Sequence, residues 1–489
     1  MRKILLLTSV FLIISNCVMA QRFKHGMGCH YDPDKDGKVP QKARLMTRDF
    51  TSLPKTYSLK KYCPTPKSQA QYGTCTGWAS GYAARTICEA IANSWVDKEI
   101  INKEAFSALF IYKNIESKPT NCKDGSCISD AMALMKNKGA AKYNSFDVLC
   151  ADYVPSELFS EALNFKIDDY TRLFCDTYLG VDSVTNKEKW ESTESKEFKI
   201  LSVKKALSQD HPIVIGMVCY DSFDNIKGDL WNGSQEGDYG GHALCVIGYD
   251  DDKYGGAFEI MNSWGKNWAN SGFVWITYED FYRNVKYAYD VYVKKKGKGF
   301  LHDFSGDMHI GLKDGDREMS MVLKEKDNIV YYKATGEFLS GQRFRLYVSN
   351  DNPAWVYVIA SDLKNNITKL FPESNSVSAY LNYKSSHIAI PGESSGLEFT
   401  MDNVPGTDYF CVLYSQEELD IEDIIQKMKT KGGSFYSKLN AALGDKLAPN
   451  DDIRFIQNRL GFSAKSNRTV VPLVVEITHK DINIKSGNM

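Results

Sequence analysis

Asn262-Ser263-Trp264-Gly265-Lys266-Asn267-Trp268, with Gly272 shortly after, is the stretch on which the reading of this chain turns. It follows an apolar, strand-like run over 257–261. An asparagine placed there can hold an imidazole in one tautomer and orientation, the task of the third member of a catalytic triad. Trp264 can cover that hydrogen bond and keep water from it. By itself the stretch also reads as a turn after a strand, so its meaning depends on what lies upstream.

The imidazole is found in Gly240-Gly241-His242-Ala243, which leads into an apolar strand ending Gly248-Tyr249. A histidine entering a strand beside two glycines has room to face a cleft. The other seven histidines have no comparable setting. Farther upstream stands Gln69-Ala70-Gln71-Tyr72-Gly73-Thr74-Cys75-Thr76-Gly77-Trp78-Ala79. Small residues with Trp78, Tyr82 and Ile87 at helical spacing predict a buried helix beginning at Cys75. A thiolate at a helix start is stabilised by unpaired N–H groups and the helix dipole. Gln69, with the backbone N–H of Cys75, can donate to an oxyanion, and Gly73 permits close approach of a substrate backbone. Singly, Cys75 reads as a disulfide cysteine and His242 as an interior histidine; their joint occurrence with Asn262 overturns those readings.

In the order Gln69, Cys75, His242, Asn262, these residues resemble the papain family of cysteine peptidases over roughly 50–295. The resemblance implies an α+β, two-lobed fold, a helical lobe facing a β-rich lobe, with the active site between them. It also implies an endopeptidase acting through an acyl-enzyme, with Cys75, His242, Asn262 and Gln69 catalytic and Gly73, Gly241 and Trp264 against the substrate. There are departures. Tyr72 stands where the family signature has its first cysteine, and Thr76 replaces the aromatic after the nucleophile. His242 and Asn262 lie 167 and 187 residues after Cys75, against about 130–150 in the family, which suggests an insertion over 150–205. The stretch before Cys75 is shorter than the inhibitory pro-segment of many members. A register placing Gly77 at the nucleophile loses both the step from Gln69 to Cys75 and the Gly73-Thr74-Cys75 triplet, and is rejected.

The 489 residues suffice for two or three domains, and 60 basic against 61 acidic residues leave no global footprint for nucleic acid. Residues 1–20 read as an export signal: Arg2 and Lys3, an apolar run, then Val18 and Ala20 at the cleavage site. The alternative is a lipoprotein box at Cys17; both export the protein to the cell envelope or beyond. No later run is long and apolar enough for a membrane helix. Residues 21–50 are a lead-in or short pro-segment. In it, Asp32-Pro33-Asp34-Lys35-Asp36-Gly37 reads as an acidic surface turn rather than a calcium loop, since Ala43 stands at the twelfth position. His25, Cys29 and His30 are a weak metal pattern, and no metal or cofactor is expected. Of twelve cysteines, Cys122 and Cys127 flank a turn that a local disulfide could close.

The peptidase domain is placed at 51–296, with helix 129–137 and strands over 213–219, 243–249, 257–261 and 273–278. After the break Lys294-Lys295-Lys296-Gly297-Lys298-Gly299, residues 300–489 read as mainly β. Strands are expected over 344–348, 355–360, 397–401, 409–414 and 470–477, with a helical stretch over 416–443. This part resembles, more loosely, an accessory domain of unknown function found behind some bacterial caspase-like and papain-like peptidases. It reads as a sandwich-like module that docks a surface partner, or that only stabilises its neighbour. The functional expectation is a secreted cysteine endopeptidase taking protein or peptide substrates. Alternatives are a non-catalytic binding protein on the same scaffold and an acyl-transferring transpeptidase.

Overall fold

Cys75 opens a continuous helical stretch through Ala92, the computed structural model showing α turns at Cys75–Gly77 and Thr86–Ala92 and wider π turns at Trp78–Arg85. The small residues on this stretch admit a neighbour. A Cβ on Gly81 would lie 2.8 Å from Cγ1 of Ile111, on the helix Ala108–Ile115 that packs across it. The helix Ile128–Asn137 completes this lobe. Described residues are 25–481, excepting 117–121, 186, 295–300, 314–319, 363–365 and 458. The export signal, Cys17 and most of the expected domain break fall outside them.

The second lobe is an eight-stranded sheet in the order Asp169–Cys175, Val285–Tyr292, Ile213–Tyr220, Tyr239–Asp250, Ala257–Met261, Phe273–Thr277 and Leu230–Trp231, with Thr56–Ser58 beside Tyr239–Asp250. Its pairings are antiparallel except that of Phe273–Thr277 with Leu230–Trp231. Ile213–Tyr220 is buried at every position, which is why it reads as an unbroken apolar run. Residues 150–205 are not the loop-rich insertion the sequence suggested. They supply the edge strand Asp169–Cys175 and the helix Lys196–Ser208, and only the hairpin Thr177–Val181/Glu188–Glu191 stands apart from the large sheet. Their charges misled the reading: Lys199, at the inner face of that helix, is buried but paired with Asp176 at 2.5 Å.

The C-terminal part is two sheets around one core. One has six strands, including His302–Leu312 and Arg343–Asn350; the other has eight, including Ala354–Ser361, Gly406–Ser415 and Val470–Lys480. Met308, Ile310, Leu346 and Val348 from the first meet Val356, Val412, Leu473 and Val475 from the second, as in a sandwich. The outer face of the eight-stranded sheet is covered by the helices Ile421–Thr430 and Phe435–Leu443. The expected single helical stretch is thus two, parted at Gly433, whose φ of 105° no helix continues through.

Residues 25–50 strap the two parts together. Lys42 N–H donates to the Arg172 carbonyl at 2.9 Å, while Gln41 N–H donates to Ser376 and Met46 N–H to His387, at 2.7 and 2.8 Å. Lys42 reaches Asp290 at 2.5 Å and also Asn382, and His211 Nδ1 approaches the other Asp290 oxygen at 2.7 Å. Asp36 is buried, bonded by the Tyr289 hydroxyl; the acidic turn is a short helix, Pro33–Asp36, not a surface loop.

Candidate active site

Cys75 stands at the first turn of its helix with no accessible surface. Burial pushes its thiol up to about 11, against the pull of hydrogen bonds from the backbone N–H groups of Ala243 and Gly28. The Ala243 contact brings Cys75 against the strand residue next to His242. His242 is paired across the sheet with Met217, and its Nε2 meets Asn262 Oδ1 at 2.8 Å. That oxygen also accepts the Ser263 N–H at 2.7 Å. The two contacts identify it as oxygen rather than amide nitrogen and make Nε2 the protonated ring atom. His242 Nδ1 is buried and has no hydrogen-bond partner. Burial holds His242 down at about 4; the bond to Asn262 works against this, and His25 adds to it.

Two expected features of the surroundings are present. Trp264 stacks on the His242 ring, centroids 4.7 Å apart and planes 18° from parallel. Gln69 is anchored by its Oε1, which accepts the Ser263 hydroxyl at 2.5 Å. Its Nε2 is left to donate, to the Tyr72 carbonyl at 2.8 Å and to the Gly26 carbonyl at 2.9 Å. Ser263 therefore ties the glutamine beside the cysteine to the asparagine behind the histidine.

The Gly26 contact belongs to a larger arrangement: residues 25–30 lie in the cleft. Gly26 N–H donates to Ala70 at 2.8 Å, Ser126 N–H donates to the Gly28 carbonyl at 2.8 Å, and Cys29–His30 pairs in parallel with Ser126–Cys127. Trp264 Nε1–H reaches the Gly26 carbonyl at 3.3 Å. A Cβ on Gly28 would lie 2.5 Å from the Gly73 carbonyl oxygen, and one on Gly241 would overlap the Cys29 carbonyl. Of the two glycines expected to admit a substrate backbone, Gly241 thus admits this strand, whereas a Cβ on Gly73 would meet the Asp124 and Lys123 carbonyls. Gly28 is among the backbone groups that oppose the rise of the Cys75 thiol.

The family model described as papain family cysteine protease matches residues 112–292. The chain contains a papain-family cysteine protease domain. A second model, a domain of unknown function (DUF4384), matches 337–418. Among curated proteins the protease domain is similar to an uncharacterized peptidase C1-like protein of Acanthamoeba polyphaga mimivirus, 26% identical over 245 residues, which are 46% of this chain and 69% of the viral protein. It is also similar to a cathepsin B-like cysteine proteinase of Ostertagia ostertagi, 27% identical over 74 residues, 15% of this chain and 42% of that one. Among solved structures, xylellain, a cysteine protease from Xylella fastidiosa, aligns at 21% identity with a TM-score of 0.43, covering 56% of this chain and 99% of xylellain. The stem bromelain precursor aligns at 16% identity and 0.42, covering 55% and 78%.

The matched range includes His242, Asn262 and Trp264 but begins after Gln69, Gly73 and Cys75, so in this protease domain those three rest on motif and geometry. In this closed arrangement burial opposes the thiolate that a helix start would stabilise. With the thiol near 11 and the imidazole near 4, both are neutral between those values, because burial disfavours either charge. The Cys122–Cys127 disulfide is also corrected: Cys122 is bonded to Cys150, and Cys127 is a buried free thiol. Of the weak metal pattern, His25 engages Asp224 and Cys29 the Tyr287 hydroxyl. Sequence reasoning missed Ser263 as a linker and Gly26 and Gly28 as cleft residues. The Gly26-Met27-Gly28 spacing was the available signal for the latter.

Proposed function

We propose that this protein is an exported cysteine endopeptidase that hydrolyses peptide bonds through a Cys75 thioester, held latent while residues 25–30 occupy its cleft. The observation that carries the reading is the seating of a peptide strand, its Gly26 carbonyl accepting from Gln69 Nε2 and Trp264 Nε1 and its Gly28 carbonyl from the Ser126 N–H. The strand runs from Trp264 toward Ser126. A substrate must run the other way, because its leaving half lies along the histidine that protonates it. The resident strand therefore lies opposite in direction to a substrate.

Once the strand is displaced, water reaches Cys75 and His242 and the burial that keeps both neutral is relieved. The proton moves from Sγ to Nδ1, the ring nitrogen that Asn262 leaves open. The thiolate attacks the peptide carbonyl carbon, and the oxyanion is held by Gln69 Nε2–H and the Cys75 N–H. His242 returns its proton to the leaving nitrogen as the carbon–nitrogen bond breaks. It then takes a proton from water, whose oxygen attacks the thioester and frees the acid and the thiol.

The test is hydrolysis of a casein-like protein by reduced protein cut within residues 31–40 to free the strand, between pH 4 and 8, with and without thiol alkylation, alongside Cys75→Ala treated alike. Hydrolysis abolished by alkylation and by Cys75→Ala is expected. Activity surviving in Cys75→Ala, or none from wild type after proteolytic removal of the strand, rejects the reading. Transfer to an added amine without hydrolysis points to the transpeptidase instead.

A further inference from the structure

The strand in the cleft also acts as a template, since each of its side chains marks what the wall beside it accepts. His25 is the most informative. Its ring stacks on Trp264, centroids 4.8 Å apart and planes 12° from parallel, and its Nδ1 is held by the Asp224 carboxylate. Asp224 ends the short helix Asp221–Asp224, which follows strand Ile213–Tyr220. Its side chain is only 2% exposed, while that of His25 is 24% exposed. Phe223 packs edge-on against the same indole, at 5.5 Å. His25 thus fills a small recess with an aromatic wall and a carboxylate within it, open at its outer end.

A buried carboxylate is tolerated where a cation or donors meet it, and an aromatic face beside a carboxylate suits a guanidinium, an ammonium or an imidazolium. The recess lies on the His242 side of the cleft, since Trp264 stacks on both His25 and His242. That side receives the half of the substrate that departs with the proton from His242.

We propose that Asp224 and Trp264 form a subsite selecting a cationic side chain, Arg, Lys or protonated His, on the leaving-group side of the scissile bond, at the place His25 occupies in the latent form. The inference rests on the peptidase reading above and adds a substrate class to it. Lead-in and substrate compete for the recess, so His25 is a surrogate for the substrate cation and Asp224 a determinant of specificity rather than of catalysis.

Matched peptides with Arg or Glu just after the scissile bond test it on the full chain after a cut within residues 31–40 frees the strand. In wild type the Arg peptide should have a kcat/KM about tenfold higher, the size of one such contact. Asp224→Asn should erase the difference, and Asp224→Lys should reverse it, each with an unfolding midpoint near that of wild type. Titration of the same peptides into Cys75→Ala protein cut within residues 31–40 to free the strand, by calorimetry, reads the subsite without chemistry. There the Arg peptide should bind about tenfold tighter, and Asp224→Asn should remove the advantage. Equal binding of the two peptides, or no binding of either, overturns the subsite. Hydrolysis without a charge preference overturns it too and leaves the peptidase reading intact. Discriminating binding without Cys75-dependent hydrolysis upholds the recess and rejects the peptidase reading.

Discussion

Burial moves His242 and Cys75 in opposite directions, because it penalises a cation on one and an anion on the other. His242 is held down from 6.5 to about 4, and Cys75 is raised from 9.0 to about 11. The closed arrangement therefore binds fewer protons than an open one between pH 6.5 and 4, and more above pH 9. Lowering the pH through the first window, or raising it above the second limit, favours release of residues 25–30, by up to about 1.4 kcal/mol per pH unit for each group. Hydrogen exchange at the amides of residues 26–30, corrected for intrinsic rate, should be slowest between pH 6.5 and 9 and rise on both sides. A flat profile contradicts this. At Gln69, substitution by Ala removes one oxyanion donor while leaving the Cys75 amide. It should lower kcat about 10²-fold with little change in KM, measured on protein freed of the strand.

At the scale of elements, the strand that fills the cleft is admitted by glycines on both sides. A Cβ on Gly26 would overlap the Tyr72 carbonyl oxygen, backbone that cannot swing away. Gly26→Ala should thus loosen the strand and raise the rate of Cys75 alkylation by iodoacetamide about tenfold or more, since overpacking costs about 1–3 kcal/mol. An unchanged rate counts against the latent form. The candidate site residues and most strands carried a local signature in the sequence: Gly73-Thr74-Cys75, Gly241-His242, Asn262-Ser263-Trp264, and unbroken apolar runs such as 213–219. What escaped depended on distant partners. Lys199 is buried in company with Asp176, a partner that the residues around it do not name. Asp221-Ser222-Phe223-Asp224 reads as a polar turn, and nothing in it announces Trp264 or His25. The disulfide partner of Cys122 was equally hidden, since Cys127 is nearer in sequence and Cys150 nearer in space.

Over the whole molecule, Asp290 joins three parts: Lys42 of the lead-in, His211 of the sheet lobe and, through Lys42, Asn382 of the C-terminal sheets. Burial alone would raise its carboxyl, but His211 and Lys42 outweigh that and hold it well below the usual carboxylate range. Its contribution to stability is therefore full above about pH 4 and is lost as the pH falls below. Asp290→Ala leaves Lys42 buried without its counter-charge and should cost about 3–5 kcal/mol in denaturant unfolding at neutral pH. A loss below about 1 kcal/mol would show the network to be incidental.

The lead-in that plugs the cleft at 25–30 is, from Gln41 onward, bonded into both halves of the molecule. The plug is thereby tethered at an effective concentration on the order of millimolar, so even a sequence of modest intrinsic affinity keeps the site closed. A single cut between 31 and 40 would abolish that tether and let the severed N-terminal piece dilute away. The mortar between the two halves would stay in place. Latency is thus lost by dilution rather than by unfolding, and the switch is irreversible although no part of the remaining structure has to change.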